Sequence, residues 1–112
     1  MAIINYTTAS IPLTVEGVDL SSQDVYVTLE QGSIELTKTG LDLIITTETH
    51  GQETDTDIVF TLTQAETAMF NHDKSVMIMV NWINESGTRD ATEIKNISVM
   101  RNLLDRVITY GN

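Results

Sequence analysis

Apolar residues recur at every second position through most of the chain. In DVYVTLEQG, Val25, Val27 and Leu29 alternate with Tyr26, Thr28 and Glu30, so the first set faces a core. Gly32 interrupts, and Ile34 and Leu36 resume the alternation, which predicts a hairpin turning near Gln31 to Ser33. After Thr39-Gly40 come Leu41, Leu43 and Ile45 on one face. Beyond the polar HGQET tip follow Ile58, Phe60 and Leu62, the material of a second hairpin. The longest apolar run, SVMIMVNWINE, puts Val76, Ile78, Val80 and Trp82 on one face, and Met77 and Met79 give the other face apolar character. Such a strand is central, or covered on both sides by another element or subunit. EIKNISVM reads as its partner, but Ile94 is out of phase with Ile97 and Val99, which predicts a bulge or bend near Lys95-Asn96. The opening residues through IPLTVEG predict an edge strand, because Pro12 has no N–H to give a ladder.

Two stretches break the period of two. LTQAETAMF begins with a capping box, in which the Thr63 hydroxyl accepts from the Glu66 N–H and the Glu66 carboxylate from the Thr63 N–H. It predicts a helix of about two turns that carries the chain from one sheet to the other before NHDK ends it. NLLDRVI spaces Leu103, Leu104, Val107 and Ile108 for a one- or two-turn helix with Asn102 as a cap, with a strand as the alternative. About seven short strands, regular turns and no crossover helix predict an all-β fold. The expected form is an Ig-like antiparallel β-sandwich in one domain, residues 1–112, with a short helical corner near residues 64–70; a small barrel is the alternative. Val27, Phe60, Val80 and Trp82 are the expected core.

Composition narrows the chemistry. The 112 residues contain no cysteine, so there is neither a disulfide framework nor a thiolate metal cluster. A net charge of −10 opposes nucleic acid, whose binding rests on basic side chains. No apolar run suits a membrane span or a Sec-type signal, and the sequons at Asn5, Asn84 and Asn96 read as chance matches. Glu48, Glu53, Asp55 and Asp57, with His50 among them, lack EF-hand spacing and read as a solvated hairpin end, with weak calcium binding as the other reading. His72-Asp73 would need the imidazole and carboxylate on one side, whereas neighbours on extended backbone point apart. FNHDKS therefore reads as a turn. No catalytic, cofactor-binding or metal residue is assigned, and an enzyme is not expected.

Contact residues are easier to nominate. Met77 and Met79 fit an interface or a second layer of core, and Pro12 marks an edge where a partner strand could add. A carbohydrate- or calcium-binding module is the alternative function, resting on the acidic stretch and three tyrosines.

The order DLSSQDVYVTLEQG, LTQAETAMF, VMIMVNWINESGTRDATEIKNISV and NLLDRVI resembles small proteins encoded in the structural-gene region of tailed phages and prophages of Gram-positive bacteria. It is also similar to the Ig-like N-terminal domain of phage baseplate upper proteins, where a D-L-S/T lead-in precedes a strand and an L-T-x-x-E-T turn follows the middle strands. The resemblance runs from about Ile11 to Ile108. It implies a non-enzymatic tail or baseplate component located in the virion, with other virion proteins and further copies of itself as partners. Baseplate proteins continue into further domains where this sequence stops, so their attachment role does not carry over.

Overall fold

The computed structural model describes residues 1–111. Its smaller sheet has the order β2–β6–β5, from Ala9–Val15, Glu53–Leu62 and Leu43–His50. Its larger sheet has the order β1–β9–β7–β3–β4, from Ala2–Ile4, Lys95–Met100, Val76–Ile83, Asp24–Gln31 and Ile34–Thr39, and the short β8 (Arg89–Ala91) also pairs with β7. The fold is an Ig-like β-sandwich, with a B-E-D sheet facing a G-F-C-C′ sheet. Trp82 lies on β7, the F position, and not on β3, the C position where immunoglobulin domains carry their buried tryptophan.

The alternation read from the sequence sets the registers. Val27 lies opposite Val80 and Leu29 opposite Ile78, so β3 and β7 present one continuous apolar face. Ile58, Phe60 and Leu62 of β6 present the facing one, and the two close a single core that includes Val27, Phe60, Val80 and Trp82. Both hairpins turn in two residues with glycine first, Gly32 at φ 58° and Gly51 at φ 65°, a left-handed backbone that a side chain would strain.

Three local expectations are corrected, and the expected bulge is found and placed more finely. The sheets are not wholly antiparallel: β1 runs parallel to β9, with Ala2 opposite Ser98 and Ile4 opposite Met100, and three residues are too few to show a period. The bulge falls at Thr92–Ile94, just before Lys95-Asn96. Asn81 faces Ala91 while Ile78 faces Lys95, so the β8–β9 side holds one extra residue, and Thr92 caps the gap by exchanging hydrogen bonds with the Val80 backbone. Leu41 is fully exposed in a 3-10 turn, Gly40–Asp42, ahead of β5. Residues 101–110 form neither helix nor strand; Asn102 accepts the Leu104 N–H in a local turn, and the apolar side chains that would hold so short a helix stay about half exposed or more.

The β2–β3 connection is fixed by buried Thr56, whose hydroxyl accepts the Leu20 N–H at 2.9 Å and donates to the Val18 carbonyl at 2.7 Å. Leu20 is thereby held in the core, and Asp19 accepts both the hydroxyl and the N–H of Ser21, which lower its carboxyl below the usual value. The DLSS lead-in is thus a structural clasp. The radius of gyration, 15.5 Å, exceeds the roughly 13 Å of a round chain this long, consistent with an overhanging β5–β6 hairpin whose residues Thr46–His50 are all exposed.

Candidate protein-contact face

Two regions carry the polar and apolar features singled out from the sequence: the corner at residues 62–75 and the outer face of the larger sheet. The corner holds α1 (Gln64–Ala68), shorter than two turns. Its capping box is complete, Thr63 Oγ1 accepting the Glu66 N–H at 3.1 Å and Glu66 Oε1 accepting the Thr63 N–H at 2.9 Å. Both Glu66 oxygens also accept from Lys38 Nζ at 2.9 Å, and the two side chains are only 19% and 14% exposed. Burial alone would raise the Glu66 carboxyl, but the Thr63 N–H and the Lys38 ammonium outweigh it and hold it below the ordinary value of 4.5. Lys38 stands opposite Val27 in the register and so points inward from edge strand β4, a placement that also discourages edge-to-edge pairing.

Side-chain amides finish the corner. Asn5 Nδ2 donates to the Thr67 and Phe70 carbonyls at 2.8 and 2.9 Å, committing both amide hydrogens of a sequon asparagine. Gln31 donates to the Asn71 and Lys74 carbonyls and accepts the Asn71 N–H at 2.6 Å. Thr67 exchanges hydrogen bonds with the backbone of Thr7, next to Tyr6 in a left-handed backbone at φ 61°. Each of the side chains just named has its partner inside the fold, so Glu66 works as a clasp between corner and sheet.

The outer face of the larger sheet is different. Along β7, Met77, Met79, Asn81 and Ile83 point away from the core, flanked by Glu30, Thr28 and Tyr26 of β3 and then Glu35 and Thr37 of β4. Met77 and Tyr26 are 36% and 39% exposed, Met79 and Ile83 half-buried. Ile94, thrown out of phase by the bulge, adds its exposed side chain beside them. Two hollows result. One, of about 330 Å³, lies between Tyr26, Thr37, Asn81 and Arg89, whose guanidinium donates to Asn81 Oδ1; the other, of about 160 Å³, lies between Glu30, Met77, Met79 and Ile94. Glu30 and Glu35 face each other directly across the strands, a like-charge pair that costs stability in the isolated molecule.

The nominated contact residues do not form one patch. Pro12 lies on edge strand β2 of the other sheet, its exposed ring opposite Val59, which pairs in turn with exposed Ile44. In the acidic stretch, Asp57 accepts the Thr14 hydroxyl and Asp55 the Gly17 N–H, both at 2.8 Å, which ties the hairpin to β2. Among the described residues no three His, Asp or Glu side chains gather closely enough to hold a metal ion. His72 and Asp73 do meet, Nε2 to Oδ1 at 3.3 Å, because a turn sets them side by side where extended backbone would part them. Both are exposed, and among the described residues no hydroxyl is hydrogen-bonded to the imidazole. No described helix is long and apolar enough to cross a membrane.

Sequence reasoning missed Gln31, Lys38 and Thr56, although each carried a signal. Gln31 follows Val25, Val27 and Leu29 in the core phase, Lys38 follows Ile34 and Leu36, and Thr56 precedes Ile58 and Phe60. A polar residue in an apolar phase must find a buried partner. No protein-family model matches the chain, and no curated protein matches it significantly.

Proposed function

We propose that this protein is a non-enzymatic structural component of a phage or prophage particle, tail- or baseplate-associated, working through protein–protein contacts and self-assembly in the virion. The observation that carries the reading is the outer face of the larger sheet, where a central strand presents Met77, Met79 and Ile83 with no covering layer among the described residues. A methionine-rich, partly aromatic surface at the middle of a sheet suits a protein partner better than solvent. The family resemblance of the DLSS, LTQAET and NLLDRVI segments supports the setting. Its partners are then other virion proteins and further copies of itself, with neither nucleic acid nor membrane bound directly. Mass spectrometry of purified particles from an induced lysogen tests it: the protein is expected at a stoichiometric level, and its absence from intact particles overturns the reading.

A further inference from the structure

Residues 101–110 leave β9 without regular structure and lay their apolar side chains open, Leu103 at 86% exposure and Leu104, Val107 and Ile108 each near half. Their course is nonetheless defined. Asn102 donates to the Asn5 carbonyl at 3.0 Å, and Gln64 grips Ile108 at both ends of its side-chain amide, donating to the carbonyl at 2.8 Å and accepting the N–H at 2.9 Å. The segment is therefore presented at the helical corner of its own molecule, with its apolar groups facing outward.

Its charge is also unlike the rest. Residues 101–112 hold two of the six basic residues, Arg101 and Arg106, and one of the sixteen acidic ones, Asp105, so they are +1 while residues 1–100 are −11. Neither arginine has an ion-pair partner among the described residues. The outer face of the larger sheet offers what they lack: Glu30 at the rim of the 160 Å³ hollow between Met77, Met79 and Ile94, with Glu35 directly across the strands from it. The hollow suits one aliphatic side chain, and the rim a neighbouring cation.

We propose that residues 101–110 of one copy dock on the outer face of the larger sheet of a second copy, an aliphatic side chain of the segment entering the Met77–Met79–Ile94 hollow and its arginines meeting Glu30 and Glu35. This rests on the reading of that face as a protein-contact surface and names its partner. The joint is heterologous, so each copy still offers a free segment at one end and a free face at the other, and copies add into rings or filaments.

Light scattering coupled to size exclusion of the full chain, over a concentration series, tests it. Wild type is expected to associate. Met77→Glu on the face and the double change Arg106→Glu with Val107→Asp on the segment are each expected to weaken association about tenfold or more, with circular dichroism and thermal midpoint near wild type. Mixing the two variants should then restore a one-to-one dimer that grows no further, since one intact segment meets one intact face. Glu30→Lys should weaken association, and combination with Arg106→Glu should recover part of it. A wild type monomeric at its highest soluble concentration, a segment variant that associates like wild type, or a variant mixture that stays monomeric overturns the proposal. Absence from particles combined with heterologous association in solution would sink the virion reading and leave this one standing; presence in particles with no self-association would do the reverse.

Discussion

The corner at residues 62–75 and the segment at residues 101–110 begin from similar material. Each is a short run with apolar side chains at helical spacing beside a residue that can cap, Thr63 in one and Asn102 in the other. Only the first becomes a helix. Its cap is reciprocal, its carbonyls are claimed by Asn5 and Gln31, and Phe70 is buried; the second has a one-sided turn at Asn102 and no surface over Leu103. Spacing thus proposes a helix, but at one or two turns tertiary partners decide, because nucleation costs more than so few hydrogen bonds return.

The largest test of that contrast truncates one apolar residue in each region. Phe70→Ala opens a cavity in a packed core and should cost about 3 to 5 kcal/mol in urea denaturation, whereas Leu103→Ala should stay within about 0.5 kcal/mol of wild type in the monomer. Similar costs at the two sites would mean that the segment is packed after all. Next in size, Asn5→Leu keeps the bulk and removes the amide, stranding the Phe70 carbonyl and leaving the Thr67 carbonyl only a long bond from the Phe70 N–H at 3.4 Å, for an expected loss of about 2 kcal/mol.

Glu66 sharpens the comparison further, since the corner uses it twice. Thr63→Ala removes one cap bond and should cost about 1 kcal/mol; Glu66→Ala also leaves the Lys38 ammonium without its partner in a mostly buried position, so about 2 kcal/mol is expected. The lowered carboxyl adds a pH signature. In the unfolded chain Glu66 takes up its proton near 4.5, in the folded one only at lower pH, so its contribution is complete above 4.5 and is lost as pH falls through the folded value. Denaturation of wild type and Glu66→Gln from pH 7 downward should show a gap that narrows below about pH 4.5. A gap that does not change with pH would remove the charge of Glu66, and with it the Lys38 ion pair, from the account of the corner's stability.

Much of this sandwich was legible in its sequence, and the limits have physical causes. Alternation reports which face is buried, so the cores of β3, β6 and β7 and both glycine-first turns could be read directly. The capping box was legible for a similar reason, since both its partners lie within one turn. What alternation cannot report is a partner far along the chain: the parallel pairing of β1 with β9, the Lys38–Glu66 clasp and the Asn5 amide all join distant segments. The candidate contact face was half legible, because Met77 and Met79 stood out as a second apolar phase. Tyr26 and the Glu30–Glu35 pair gained meaning only once the β3–β4 and β3–β7 registers set them beside those methionines.

The smallest expected effect falls where the two regions touch. Gln64 belongs to the first turn of α1, yet its side chain binds the backbone of Ile108 through two hydrogen bonds, both exposed to solvent. Exposed bonds of this kind contribute little net free energy, so Gln64→Ala should shift global stability by no more than about 0.5 kcal/mol. Its consequence should instead be local: the Ile108 amide, which donates to the Gln64 side-chain carbonyl oxygen, should exchange faster in the variant, while amides in β3 and β7 keep their protection. If the segment must be presented in its present course to reach a second copy, the same change should also weaken association without touching any residue of the joint. Unchanged exchange at Ile108 would show that something other than Gln64 holds the segment, and the corner would then lose its role as the support that aims it.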